Sequence, residues 1–305
     1  MHSSSPQPDF ENVLGRAERI LARLEKLIPA DPEETAWDRA TAFHWRKLGA
    51  SGIVSAVRYA SSVRLDDLQC IDRQKTEIER NTRQFIDHLP ANHTLLWGPR
   101  GTGKSSLIKA VFNAFESMGL RLIEIGNHDL DDLPRIYDRI FNRPERFILY
   151  CDDLSFEAND SAYKALKIAI DGSMSSVPDN ALIYATSNRR HLMPEYLDEN
   201  LSARNVAGEI HQTEGVEQKI ALSERFGLWL AFHPFRQEEY LKIVFYWLAR
   251  YGAEVTDHEL VRQEALRWAL LRGSRSGRAG YQFARDWAGR CGLERRSKAM
   301  LGIQV

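Results

Sequence analysis

The chain has 305 residues, 43% of them hydrophobic and 27% charged, with a formal net charge of -1. That composition fits a soluble globular chain of one large domain or two modest ones, and it excludes a global electrostatic pull toward nucleic acid or an anionic membrane. No apolar run approaches the length of a membrane span, and Cys70, Cys151 and Cys291 are far apart without metal-ligand spacing, so free thiols in a reducing, cytoplasmic setting are expected.

Residues 1–9 are polar and contain proline, which predicts a disordered leader. From Phe10 to Ile28 apolar residues recur on one helical face, and Pro29 and Pro32 end it. A second helix is predicted over Glu33 to Leu48, with Trp37, Phe43 and Trp45 as its large apolar groups. Ile53 to Tyr59 is ambiguous between helix and strand. Residues 10–64 are therefore expected as an N-terminal helical unit, either a partner-binding surface or packing on the core. A long polar helix then runs to His88.

Thr94 to Trp97 is an apolar run that ends in Gly98-Pro99-Arg100-Gly101-Thr102-Gly103-Lys104-Ser105-Ser106, and a helix-patterned stretch follows. Strand, glycine-rich loop and helix together form the setting of a phosphate-binding P-loop. The glycines let backbone N–H groups curl around crowded phosphates. The first helical turn adds unpaired N–H groups and a positive dipole end. Lys104 would reach the β- and γ-phosphates of ATP, and the Ser105 hydroxyl would ligate Mg²⁺. Ile71, just before the polar helix, is a candidate to pack on the adenine or an ordinary helix lead-in.

Further along, Arg121 to Ile125 alternates as a strand and Asp129 to Phe141 reads as a helix. Asp129, Asp131 and Asp132 near its start are read as helix capping. Phe147 to Cys151 is a buried strand ending in Asp152-Asp153. Asp152 would hold the water shell of Mg²⁺, and Asp153 would polarise the attacking water. Asp160 to Asp171 is helical. Ala181 to Ser187 is another buried strand, and Asn188 at its end would sit between that acid and the γ-phosphate, with Thr186 or Ser187 as the fallback. A helix is predicted over Glu214 to Phe226, a short strand over Trp229 to Phe232 and a strong helix over Gln237 to Tyr251. From Asp257 onward the chain reads as helical, broken near Arg272 to Arg278. Between Arg262 and Lys298 there are ten Lys or Arg against three Asp or Glu, a local excess that must face something anionic or solvent.

In order and spacing these motifs resemble the AAA+ ATPases from about Leu65 to Gly292. Gly98 to Ser105 matches Walker A, Phe147 to Asp153 looks like Walker B, and Asn188 matches sensor 1. Arg225, in Ser223-Glu224-Arg225-Phe226-Gly227-Leu228, looks like an arginine finger. Arg278 looks like the sensor 2 arginine, with Arg275 as the alternative. The stretches Trp97 to Ser106, Asp152-Asp153-Leu154-Ser155-Phe156 and Ser274 to Arg278 are similar to an uncharacterised bacterial AAA+ ATP-binding family, the domain of unknown function 815. The resemblance implies an α/β P-loop fold, a parallel five-stranded sheet with helices on both faces. It divides the chain into a core over 65–235 and a small helical lid over 236–305. It also implies a homo-oligomer, ring or helical, because a finger at Arg225 would complete a neighbour's site.

One departure is chemical. Most such Walker B motifs end Asp-Glu, whereas here Asp153 is one methylene shorter, which favours a slow, switch-like ATPase; Glu157, four residues on, is a candidate substitute base. The reading that fits most motifs is an oligomeric ATPase, using ATP and Mg²⁺, that remodels a protein client or DNA. An ATP-gated binding switch with little turnover is the first alternative. A small-molecule P-loop kinase leaves Arg225 and the N-terminal segment without a role.

Overall fold

The computed structural model describes residues 14–20, 37, 39–48, 51–58, 61–156, 161–171, 177–190, 192, 205–206, 209–210 and 222–300. The expected leader, parts of the first two predicted helices, Glu157 and residues 214–221 lie outside them; residues 14–20 are helical.

The strands follow from where apolar side chains run without interruption. β3 (Thr94–Trp97), β5 (Arg146–Cys151) and β6 (Ala181–Ser187) are buried along nearly their whole length, as strands covered on both faces must be. β4 (Leu120–Ile125) and β9 (Leu228–Ala231) join them, and two-residue strands β7 (Asn205–Val206) and β8 (Glu209–Ile210) pair separately. Among the described residues the main sheet has seven strands rather than the expected five; with β1 (Ala42–Leu48) and β2 (Ser51–Ala56) the order is β2-β1-β4-β5-β6-β3-β9. All neighbours are parallel except β1 with β2.

The two extra strands correct the N-terminal reading. β1 (Ala42–Leu48) and β2 (Ser51–Ala56) form a hairpin where a helix was predicted up to Leu48. β1 pairs in parallel with β4, Ala42 opposite Leu122 and Phe43 opposite Ile123. Phe43 and Trp45 alternate with outward His44 and Arg46, so one pleat face carries both rings into the core. Trp37 packs on Phe43 with ring centroids 4.7 Å apart and on Phe147 at 5.2 Å. Asp132 completes the attachment. Its side chain makes no cap hydrogen bond to the helix it precedes, α3 (Leu133–Ile140). The buried carboxylate instead accepts from Trp45 Nε1 at 3.2 Å and from Arg135 at 2.8 Å. The capping role expected of Asp132 is replaced by a tie to the hairpin.

Helices cover both faces. α1 (Asp72–Ile86) and α2 (Lys104–Phe115) lie in one core with the C-terminal helices α5 (Gln237–Arg250), α6 (His258–Leu271) and α7 (Gly277–Met300). α3 and α4 (Ser161–Asp171) lie in the other, with the hairpin. α1 is fixed to the sheet by a buried polar cluster. Asn81 donates to Asn92 O at 2.9 Å and to the Tyr184 hydroxyl at 3.0 Å, and accepts from Asn92 N–H at 3.0 Å. Satisfied networks of this kind rigidify a core, here directly behind β3.

His93 leads into β3, and its Nδ1 accepts the Ile183 N–H at 3.0 Å. Burial pushes its pKa from 6.5 down to about 4, so the folded chain keeps it neutral where the unfolded chain protonates it. Stability from this site is complete above the unfolded value and is lost as pH falls from about 6.5 toward 4, by up to about 3 kcal/mol. Thermal midpoints across that window should fall less steeply for His93→Gln than for wild type; equal slopes would show that His93 is not the titrating group.

Candidate functional site

Sheet order sets the site. β6 lies between the P-loop strand β3 and the acidic strand β5, with Trp97 opposite Ser187 and Cys151 opposite Ala185. The carboxyl ends of three strands therefore deliver the P-loop, Asn188 and the Asp152-Asp153 pair to one crevice, the usual ligand position in such sheets.

The loop geometry requires its glycines. Gly98 has φ +139°, and a Cβ there would stand 2.2 Å from Phe232 O. Gly101 has φ +77°, and its Cβ would meet Ser276 at 2.9 Å. Thr102 Oγ1 closes the loop on Pro99 O at 2.8 Å. Gly103 then caps α2, whose first residue is Lys104.

The Lys104 ammonium donates to Gly98 O at 2.6 Å, Pro99 O at 2.8 Å and Asn188 Oδ1 at 3.1 Å. Burial lowers its pKa to about 8, partly offset by the charges of Asp153 and Asp152. The next side chain, Ser105, donates to Asp152 Oδ1 at 2.7 Å, and Thr186 Oγ1 donates to the same oxygen at 2.6 Å. Burial works to raise the Asp152 pKa, but the hydrogen bonds from Thr186 and Ser105 outweigh it and hold the carboxyl below its ordinary value. A hydroxyl and an ionised carboxylate side by side form a hard oxygen donor set, which fits Mg²⁺.

Asp153 is turned differently. Its φ is +53°, and its N–H donates to Thr186 Oγ1 at 2.9 Å. Its carboxylate accepts from Arg100 Nη2 at 3.2 Å and from Asn188 Nδ2. Asn188 thus bridges Lys104 and Asp153, and Thr186 bridges both acids. Thr186, the fallback behind Asn188 in the sequence, touches more of the site than a turn residue would. The Arg100–Asp153 pair was not anticipated; the signal was a cation inside a loop facing an acidic strand end.

A cleft of about 1650 Å³ joins Arg100 to Ser106, Asp152, Asp153, Thr186 and Asn188 to Ile71 and Arg278. Ile71 is buried, and its Cδ1 lies 3.7 Å from where a Gly103 Cβ would stand. Arg278 follows the first residue of α7 and its N–H donates to Gly101 O at 3.3 Å. Arg275 is exposed and does not line the cleft. Arg225 does not line it either; it is half-buried, within electrostatic reach of Tyr163 on α4. Ser276 escaped the sequence reading: its Oγ accepts the Ala279 N–H at 3.2 Å while packing beside Gly101, and a serine opening a helix was the available signal.

No helix among the described residues is long and apolar enough to cross a membrane. The family described as "Protein of unknown function (DUF815)" matches residues 38–291. No curated protein matches. Among solved structures, the RuvB Holliday junction branch migration motor of Thermotoga maritima is similar at 16% identity and TM-score 0.47, over 73% of this chain and 63% of that one. The match therefore spans less than two thirds of the motor's own length. The FIGL-1 AAA domain in complex with ADP is similar at 18% identity and TM-score 0.47, over 75% of this chain and 74% of that one.

Proposed function

We propose that this chain, which belongs to the DUF815 family, is an AAA+ ATP-binding protein that hydrolyses ATP slowly and couples it to assembly on a protein or nucleic-acid partner. The observation that carries the reading is the convergence of Lys104, Ser105, Asp152, Asp153 and Asn188 through direct hydrogen bonds in one cleft.

Each residue has a chemical task there. Backbone N–H groups of the loop and the start of α2 cradle the phosphates. Lys104 exchanges its carbonyl acceptors for phosphate oxygens. Ser105 and Asp152 hold Mg²⁺, which supplies positive charge to the phosphate oxygens when bound. Asp153 takes a proton from the attacking water as the bond between the γ-phosphorus and the leaving oxygen breaks. Asn188 fixes Asp153 relative to Lys104, and Arg278 brings the helical lid over the loop. Ile71 packs against the base.

Arg225 lies away from this cleft in its own chain, which supports a role at a neighbour's site. Turnover per protomer should rise with protein concentration, and Arg225→Ala should lower it by about 10³-fold or more if the arginine acts across an interface. Turnover that is independent of concentration and unchanged in Arg225→Ala would overturn the assembly reading.

A second reading has its own observation. The Asp153 carboxylate is engaged by Arg100 and Asn188, and its shorter arm holds it back from the γ-phosphate. A switch that binds ATP and rarely hydrolyses it fits that arrangement. Wild-type turnover no faster than that of Lys104→Ala, with ATP tightly bound, would select it.

A further inference from the structure

The cleft continues beyond the P-loop. At about 1650 Å³ it exceeds the ~300–1,000 Å³ usual for one small-molecule site. Past Arg278 its wall is a face of α7, where Tyr281, Arg285 and Gly289 follow at helical spacing and all line the space. From Arg278 to Arg285 the helix rises about 10 Å. Trp247 of α5 and Tyr251, the residue that follows that helix, line the same end.

Three rings meet there. Trp247 and Tyr281 pack edge to face with centroids 4.9 Å apart, and Tyr251 lies 6.1 Å from Trp247 and 6.2 Å from Tyr281. Trp247 packs on the core with one part of its ring, but the cluster reaches the surface. Tyr251 is 39% exposed, whereas Phe283 and Ala284 carry the buried face of α7. The cations differ in availability. Arg250 is paired with Asp67 at 3.7 Å and Arg290 with Asp286 at 3.0 Å. Arg285 is exposed, has no carboxylate within ion-pair distance among the described residues, and acts electrostatically on Tyr251. Aromatic faces beside an uncommitted guanidinium are the chemistry of base stacking with phosphate neutralisation.

We propose that this end of the cleft is a second nucleotide subsite, in which a base stacks on an open ring face of the Tyr281, Tyr251 and Trp247 cluster and Arg285 neutralises its phosphate, the nucleotide being one unit of a single-stranded nucleic acid. The subsite rests on the reading that ATP fills the P-loop end. A strand fits better than a free nucleotide because the lining continues along α7 to Leu293. The helix also joins the two ligands. Arg278 at the P-loop and Arg285 two turns on belong to one helix.

The test is fluorescence anisotropy of a labelled oligothymidylate with the full chain, saturated with a non-hydrolysable ATP analogue, at low salt. Wild type is expected to bind. Tyr281→Leu should weaken the oligomer by about 5- to 150-fold, the range for losing one stacked base. Arg285→Ala, at an exposed position, should weaken it and lessen its salt dependence. Both should leave affinity for the analogue within about twofold, being separated from the phosphates. Lys104→Ala should do the converse. Weakened analogue binding with an unchanged oligomer would assign the rings to the base of ATP and overturn the proposal. So would wild type that ignores the oligomer, or free thymidine monophosphate competing as strongly as the strand. Failure of the analogue to bind at all would sink the ATP reading instead; the oligomer titration, run without nucleotide, then still decides the subsite.

Discussion

Lys104→Ala is expected to reduce ATP turnover by about 10²–10³-fold or more, the loss typical of one preorganised charge-stabilising donor, and to weaken ATP binding in parallel. The ammonium contacts the loop carbonyls of Gly98 and Pro99 and Asn188 at the same time. Its removal takes a cation from a half-enclosed site built around negative charge and takes a donor from the Gly98 and Pro99 carbonyls, of which Pro99 O keeps Thr102 Oγ1. Lys104→Arg keeps the charge but not the compact point contact, so it should recover little activity. Binding of a fluorescent ATP analogue, beside a melting curve to show that the variant is folded, checks the result. Unchanged affinity would mean that nucleotide, if bound, is held elsewhere.

Asp153→Asn is expected to separate binding from chemistry. The carboxamide keeps the size of the side chain and can still accept from Arg100, while losing the charge and the proton acceptor. ATP affinity should stay within a few fold, and turnover should drop by about 10²–10⁴-fold, the range for a general base. Single-turnover assays decide it. If the variant hydrolyses ATP as fast as wild type, Asp153 is not the base and the bridging Asn188 pair is purely structural. If both are at background, the switch reading stands.

Much of this site was legible because its information is local. The P-loop carries its own geometry in consecutive residues, and positive φ at Gly98, Gly101 and Gly103 is what glycine at those positions forecasts. β5 and β6 announced themselves as unbroken apolar runs ending in polar groups. What stayed hidden depends on distant chain. The alternation of Phe43 and Trp45 was present, but the strand they form is defined by β4, some eighty residues later, and the preceding Glu-rich stretch reads as helix. Asp132 looked like a cap because capping is a local habit of aspartate; its partner Trp45 lies 87 residues away. Thr186 stands in sequence only as a fallback to Asn188, and the pairing of β5 with β6 is what places its hydroxyl between two acids. Arg278 and Arg275 are three residues apart and alike in sequence. The turn that seats Ser276 against Gly101 brings one to the cleft and leaves the other outside.

The hairpin has a consequence for how the chain can be divided. By sequence, a boundary at residue 65 would release a self-contained nucleotide-binding unit. In the fold, that cut would strip β1 from β4 and leave a row of unpaired N–H and C=O groups on a flat apolar strand, a template for sticking to a second copy. Trp37, Phe43 and Trp45 would leave with it, uncovering Phe147 and the α3 side of the core. The segment before the P-loop is thus the selvedge of the sheet, and a truncated protein prepared to simplify the molecule would aggregate for reasons unrelated to its chemistry.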